Sequence, residues 1–165
     1  MNNDKQEYSY RSLRLPEASV AESLLVVSLR LWMLERNCAT DVRLPDWRGG
    51  LCAIGFEHIA DDVVVPMFEF LYGNRQGIEV LPLHCTRVSW EESNFLVCVM
   101  LMQQQRTDEL QRLLCSYTFP ATARVVMALI ARFVGVLEEA GMRLPLRRLE
   151  GAAQSRSQNL AVRVH

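Results

Sequence analysis

Glu57, His58, Asp61 and Asp62 fall within about two turns of a helix, pairing Glu57 with Asp61 and His58 with Asp62 at i, i+4 spacing on neighbouring faces. Three carboxylates and an imidazole that close together are a donor set for a divalent metal, or for acid–base work in a small enzyme. The spacing matches neither the paired histidines of zinc proteases nor the Glu-x-x-His of di-iron bundles, and the chain has no second helix with such a motif. The bland reading of the four is a solvated helix face.

His84 and Cys85 form a second candidate, in a loop just before a marked helix start, where the positive end of the helix dipole favours a reactive thiol. Zinc or another divalent metal held there would need further ligands from Cys38, Cys52 or Cys115, because no Cys-x-x-Cys anchors a site. No cofactor is expected on motif grounds. An intracellular cysteine commonly serves as a small buried apolar side chain, which is the competing reading.

Other chemistries find no carrier. The chain has no Gly-x-Ser-x-Gly, no dinucleotide fingerprint and no phosphate loop, since Gly49-Gly50 lacks the Lys and the Ser or Thr that a phosphate loop requires. Only His58, His84 and His165 are available as imidazole bases. With 18 basic and 19 acidic side chains the net charge is -1, so no overall field draws the chain to nucleic acid. The basic residues are arginines except for Lys5, and Arg143, Arg147, Arg148, Arg156 and Arg163 gather at the C-terminal end without the interleaved aromatics that stack bases.

The elements that must position these residues are helical. Half of the 165 residues are hydrophobic and 22% are charged, which suits one packed domain. Pro16 and Glu17 suit a helix start, and Val20, Leu24, Val27, Leu31 and Leu34 then recur on one helical face. A second stripe of Leu25, Leu29, Trp32 and Met33 widens the apolar arc beyond what one neighbour covers, and is expected to be an interaction surface, with a homodimer as one form it could take. Asp46 reads as the N-cap of a second helix, which Pro66 should kink or break between Val63 and Tyr72. Ile78 and Val80 give one short extended segment near 78–83.

Ser89-Trp-Glu-Glu92 is a capping box that starts a helix with Phe95, Leu96, Val99 and Met102 inward. Thr107 with Asp108 and Glu109 opens a shorter one, and Phe119-Pro120 the last, with Val125, Leu129, Ile130, Phe133, Val136 and Leu137 inward and Gly141 as its C-cap.

The expected fold is therefore all-α, a single-domain bundle of about five helices over 13–144, between a polar leader (1–12) and a basic polar tail (145–165), both expected to be flexible. Five scattered cysteines and the absence of a signal or an obvious spanning segment point to a cytoplasmic protein without membrane contact. Its expected function is that of a non-catalytic helical interaction or regulatory module with a protein partner or a second copy; a metal- or redox-responsive regulator around Cys85 is the alternative, and an enzyme at 57–62 the third.

Overall fold

The computed structural model describes Tyr10 and residues 12–37, 46–52, 55–56, 59–73 and 77–147. Cys38, Glu57, His58 and the arginines after Arg147 lie outside the described residues, so the expectations that rest on them have no structural counterpart.

Six α-helices lie among the described residues: α1 (Val20–Asn37), α2 (Trp47–Cys52), α3 (Val65–Phe68), α4 (Trp90–Gln103), α5 (Thr107–Cys115) and α6 (Pro120–Glu139). No strand is found among them, and the extended segment expected near 78–83 is irregular chain. The one β-type pairing among them is an isolated antiparallel bridge between Arg14 and Arg87.

The start of α1 corrects the expectation. Pro16 sits in a 3-10 turn, Leu15–Glu17, and the helix begins after Ser19. Ser19 and Glu22 form a capping box, the Ser19 amide donating to Glu22 Oε2 at 2.7 Å and the Glu22 amide to Ser19 Oγ at 3.2 Å. The two apolar stripes of α1 differ in burial, although Leu31 of the first is also in the core. Val20 is 74% exposed, whereas Leu25, Leu29 and Trp32 are buried in the chain's own core and Met33 is half-buried. Leu25, Leu29 and Trp32 of the expected interaction surface thus pack within the chain, Trp32 against Phe68 of α3, while Met33 stays partly exposed.

α4 is the central helix. Residues Phe95 to Leu101 are buried consecutively, so neighbours surround it on every side. Its start follows expectation, with both halves of the Ser89–Glu92 capping box formed. α5 starts at Thr107, as expected, but its cap is Arg106, whose guanidinium pairs with Glu109. On α6 the inward face is Ala123, Val126, Ile130, Phe133, Val134 and Leu137; Val125, expected inside, is 43% exposed.

Pro66 breaks the helix as expected, in a specific way. A π turn, Ala60–Val64, precedes α3 and a second, Glu69–Gly73, follows it. The proline has no N–H and its ring crowds the carbonyl four residues back, and the widened turn before it relieves both demands. The buried residues still fall on one face, Ala60, Val63, Val64, Met67, Phe68, Leu71 and Tyr72. Phe68 stands between Trp32 of α1 and Phe95 of α4, with ring centroids 5.4 and 5.2 Å away, so one aromatic stack joins three helices.

α6 is long and apolar enough, by length and composition alone, to cross a membrane, which differs from the expectation that no segment of the chain is. Here it packs on α4, α5, α3 and both π turns. It ends at Gly141 (φ 69°), where the Gly141 amide donates to Glu138 and the Met142 amide to Leu137 at 2.7 Å, a Schellman motif.

Both ends of the expected domain move outward. Tyr10, placed in the polar leader, is fully buried, and its hydroxyl donates to the Pro145 carbonyl at 2.7 Å. Arg147, placed in the tail, makes a bidentate ion pair with the fully buried Glu22. Residues 142–147 thus form a strap across the ends of α1 and α4 rather than the start of a loose tail.

The least replaceable polar contact is Arg30–Glu92, whose side chains are 1% and 0% exposed. Removing the cation leaves a buried carboxylate unpaired, so Arg30→Ala is expected to cost about 3–5 kcal/mol in urea unfolding. Arg36→Ala, which breaks the exposed pair with Glu69, should cost less than about 1 kcal/mol.

A pH dependence arises from Glu22. Burial pushes its carboxyl up, but the bonds from Arg147 and Ser19 outweigh this and hold it below the ordinary carboxylate range. Its contribution to stability is therefore present above the unfolded value, about 4.3, and is lost as pH falls through the lower folded value. Arg147→Gln should be less stable than the parent chain at pH 7, and the difference in urea midpoint should shrink below about pH 4.

Candidate interaction sites

Two of the open clefts on the surface of the described residues bear on the candidate residues. The first, about 440 Å³, lies between the C-terminal half of α1 (Met33, Leu34, Asn37) and the segment Val80–His84. It brings Met33 and His84 together, two residues singled out by sequence. Arg30 reaches its floor, but every donor of that guanidinium is committed. Nε and Nη2 bond Glu92 at 2.7 and 3.0 Å, Nη1 bonds the carbonyls of Pro82 and Cys85 at 3.1 and 2.6 Å, and Nη2 also bonds the carbonyl of Arg87. No donor remains for a ligand.

Cys85 enters this arrangement through its backbone. Its carbonyl accepts from Arg30 and its amide donates to the Pro82 carbonyl, while the thiol is half-buried and His84 is exposed. Cys52 lies on α2. Among the described residues no three His, Cys, Asp or Glu side chains come together as a metal site.

Asp61 and Asp62 lie on the first π turn and are exposed. Asp61 accepts from Arg48 Nε at 2.8 Å, and the same guanidinium holds Glu35 of α1 through Nη1. Arg48 also lies over the Trp47 ring at 4.5 Å, and the indole N–H donates to Glu35. The bond from Arg48, reinforced by Trp47, holds the Glu35 carboxyl below its ordinary range despite some desolvation. This cluster ties α1, α2 and the π turn together, which is a structural use of Asp61.

The second cleft, about 550 Å³, is lined by Phe70 from the second π turn, by the turn from Cys115 to Phe119 between α5 and α6, and by Thr122. Phe119 is 82% exposed and Phe70 48%. The local sequence dictates this. Phe70 falls on the outward face of a segment whose inward face is set by Phe68 and Leu71, and Phe119 is the N-cap residue that Pro120 holds extended. Beneath the turn, Tyr117 Oη contacts Cys98 Sγ at 3.3 Å, and Leu114 accepts from the Thr118 amide and hydroxyl, so the wall is rigidly backed.

Sequence reasoning does not single out Phe70, Tyr117 or Phe119 as site residues, and it offers Cys115 only as a distant metal ligand. The available signal is an aromatic residue directly before the proline that opens α6, which by itself marks a helix boundary. The chain matches no protein-family model, no curated protein and no solved structure.

The thiols should separate by environment. Burial pushes the Cys98 thiol up to about 12, and it is fully enclosed, whereas Cys115 is exposed at the cleft. Iodoacetamide labelling at pH 8, mapped by mass spectrometry, should modify Cys115 rapidly and Cys98 only after unfolding in urea.

Proposed function

We propose that the chain is a non-catalytic, cytoplasmic helical module that binds an apolar segment of a protein partner in the cleft between Phe70 and Phe119. The observation that carries this reading is the exposure of two large aromatic rings on one cleft, 82% for Phe119 and 48% for Phe70. Leaving such rings in water forgoes burial worth roughly 1.5–3 kcal/mol each, and aromatic anchors commonly dominate protein interfaces. The polar rim from Ser116, Thr118 and Thr122 gives an incoming backbone hydrogen-bonding partners.

The cleft also suits binding better than catalysis. Its lining holds one thiol, Cys115, and hydroxyl groups, with no carboxylate or imidazole among the described lining residues to act as a base. Asp61 serves the fold through Arg48, and Cys85 does so through its backbone carbonyl on Arg30, a contact that does not engage its thiol.

A photo-crosslinking residue at position 122, introduced in the native host, tests the reading. A discrete adduct is expected, absent when the same residue stands at exposed position 132, and lost in Phe70→Ser and Phe119→Ser variants that retain the parent melting curve. Each truncation should weaken binding by roughly 2 kcal/mol. An adduct that persists in both variants, or no adduct specific to position 122, refutes the assignment.

A further inference from the structure

The strap 142–147 (Met-Arg-Leu-Pro-Leu-Arg) lies on the helices in the way a bound peptide lies on its receptor. Gln103, at the end of α4 and 9% exposed, uses both ends of its amide on the strap backbone, Nε2 donating to the Met142 carbonyl and Oε1 accepting from the Leu144 amide, each at 2.9 Å. A clamp on a carbonyl and on the amide two residues later reads an extended backbone whatever its side chains. Leu144, whose amide makes the second of those bonds, turns inward and is 4% exposed, while Arg143 before it and Pro145 and Leu146 after it are exposed.

Two further groups read the strap beyond Leu144. Tyr10 Oη donates to the Pro145 carbonyl at 2.7 Å, and the tyrosine is itself fixed by its amide, which donates to Ser93 Oγ at 2.8 Å. Glu22 then receives Arg147 side-on, Nε to Oε1 at 2.6 Å and Nη2 to Oε2 at 3.1 Å. Tyr10 and Glu22 are fully buried. The bed therefore offers, in order, a backbone clamp, an apolar pocket, a carbonyl donor and a buried acid shaped for a guanidinium.

These host groups come from three separate places, Tyr10, α1 and α4, and none of the named contacts uses a neighbour in sequence. At its start the strap is held to α6 by the Met142 amide on the Leu137 carbonyl, and beyond that it has no helix or strand bonds of its own. From Leu144 to Arg147 the polar contacts named above are all to the bed, and the hinge is Gly141, whose positive φ turns the chain out of α6.

We propose that this bed is a peptide-binding groove for an extended Leu-Pro-x-Arg segment of a partner protein, and that the chain's own strap fills it as an autoinhibitory ligand. The tether gives the strap a high effective concentration, so a segment in trans competes only when the strap is loosened or the partner is abundant. The groove is separate from the Phe70–Phe119 cleft, and the two assignments stand or fall independently.

The test uses the full chain and a fluorescein-labelled Met-Arg-Leu-Pro-Leu-Arg peptide followed by anisotropy. A chain with a loosened strap, Leu144→Ala with Arg147→Ala, should bind the peptide at least 10-fold more tightly than the parent chain. Adding Gln103→Ala should weaken that binding at least 10-fold, and a peptide ending in Glu should not bind. Binding no tighter than the parent's by a loosened chain of unchanged circular dichroism, or binding indifferent to Gln103→Ala, overturns the groove.

A second measurement reads the clamp directly. In the loosened chain, the Gln103 side-chain amide resonances should shift saturably with the unlabelled peptide and stay fixed with the Glu-ended one; no shift at millimolar peptide also overturns it. Concentration-dependent dimers of the parent chain that Arg147→Glu abolishes would overturn the partner and assign the groove to a second copy exchanging straps.

Discussion

Arg30 and Glu92 meet in the interior between α1 and α4, and the rest of the arrangement is built around satisfying them. A buried guanidinium carries five N–H donors, and each one left without an acceptor is costly. Glu92 takes two of the bonds, and the carbonyls of Pro82, Cys85 and Arg87 take the others. Three carbonyls converge on one point only if the chain between α3 and α4 wraps around it. The irregular path of that segment is thus dictated by an ion rather than by backbone pairing. Glu92 adds to the hold by accepting from the amides of Leu81 and Ser89. The wrapped segment in turn presents Arg87 to the bridge with Arg14, and Thr86 to the amide of Leu15, which fixes the entry to α1.

The same chemistry occurs a second time at the start of α1. Glu22, like Glu92, is the third residue of a helix capped by serine, satisfies the capping amide, and also receives an arginine from a distant segment. In each case the carboxylate sits at the positive end of a helix, which favours its charge, and the arginine brings a Leu-Pro-bearing segment against the helix, Leu81-Pro82 in one case and Leu144-Pro145 in the other. The capping box therefore does more than start a helix. It places a buried anion where a loop can be fastened.

The helices are legible in the sequence wherever one local rule governs them. Ser89 and Glu92 carry a capping box that needs no tertiary information, and Pro120 and Gly141 bound α6 by backbone restrictions alone. Ser19-Val-Ala-Glu22 obeys the same rule, but Pro16 three residues earlier is an equally good start signal by local criteria, and it belongs instead to a 3-10 turn. Which stripe of α1 faces inward is not legible, because both are apolar, and Trp32 is drawn inward by stacking on Phe68, which in turn packs on Phe95. Arg30 looks like a polar interruption within that helix, and nothing local reveals that its acceptors are backbone carbonyls more than fifty residues away. The clefts are hidden for a similar reason, since Phe70 and Phe119 become neighbours of one cavity only once the α5–α6 turn is placed.

The strap contact has a consequence for the order in which the chain is made. Glu22 leaves the ribosome 125 residues before Arg147, and Tyr10 leaves 135 residues before Pro145. At synthesis rates of about 5–20 residues per second, α1 exists for roughly 6–25 seconds with an acid destined for burial and no cation to receive it. Until Arg147 is made, burying Glu22 would leave its carboxylate without its cation, whereas Arg30 and Glu92 are both made earlier, so the ion pair at the centre of the bundle has both partners before the one that joins the ends of the described chain.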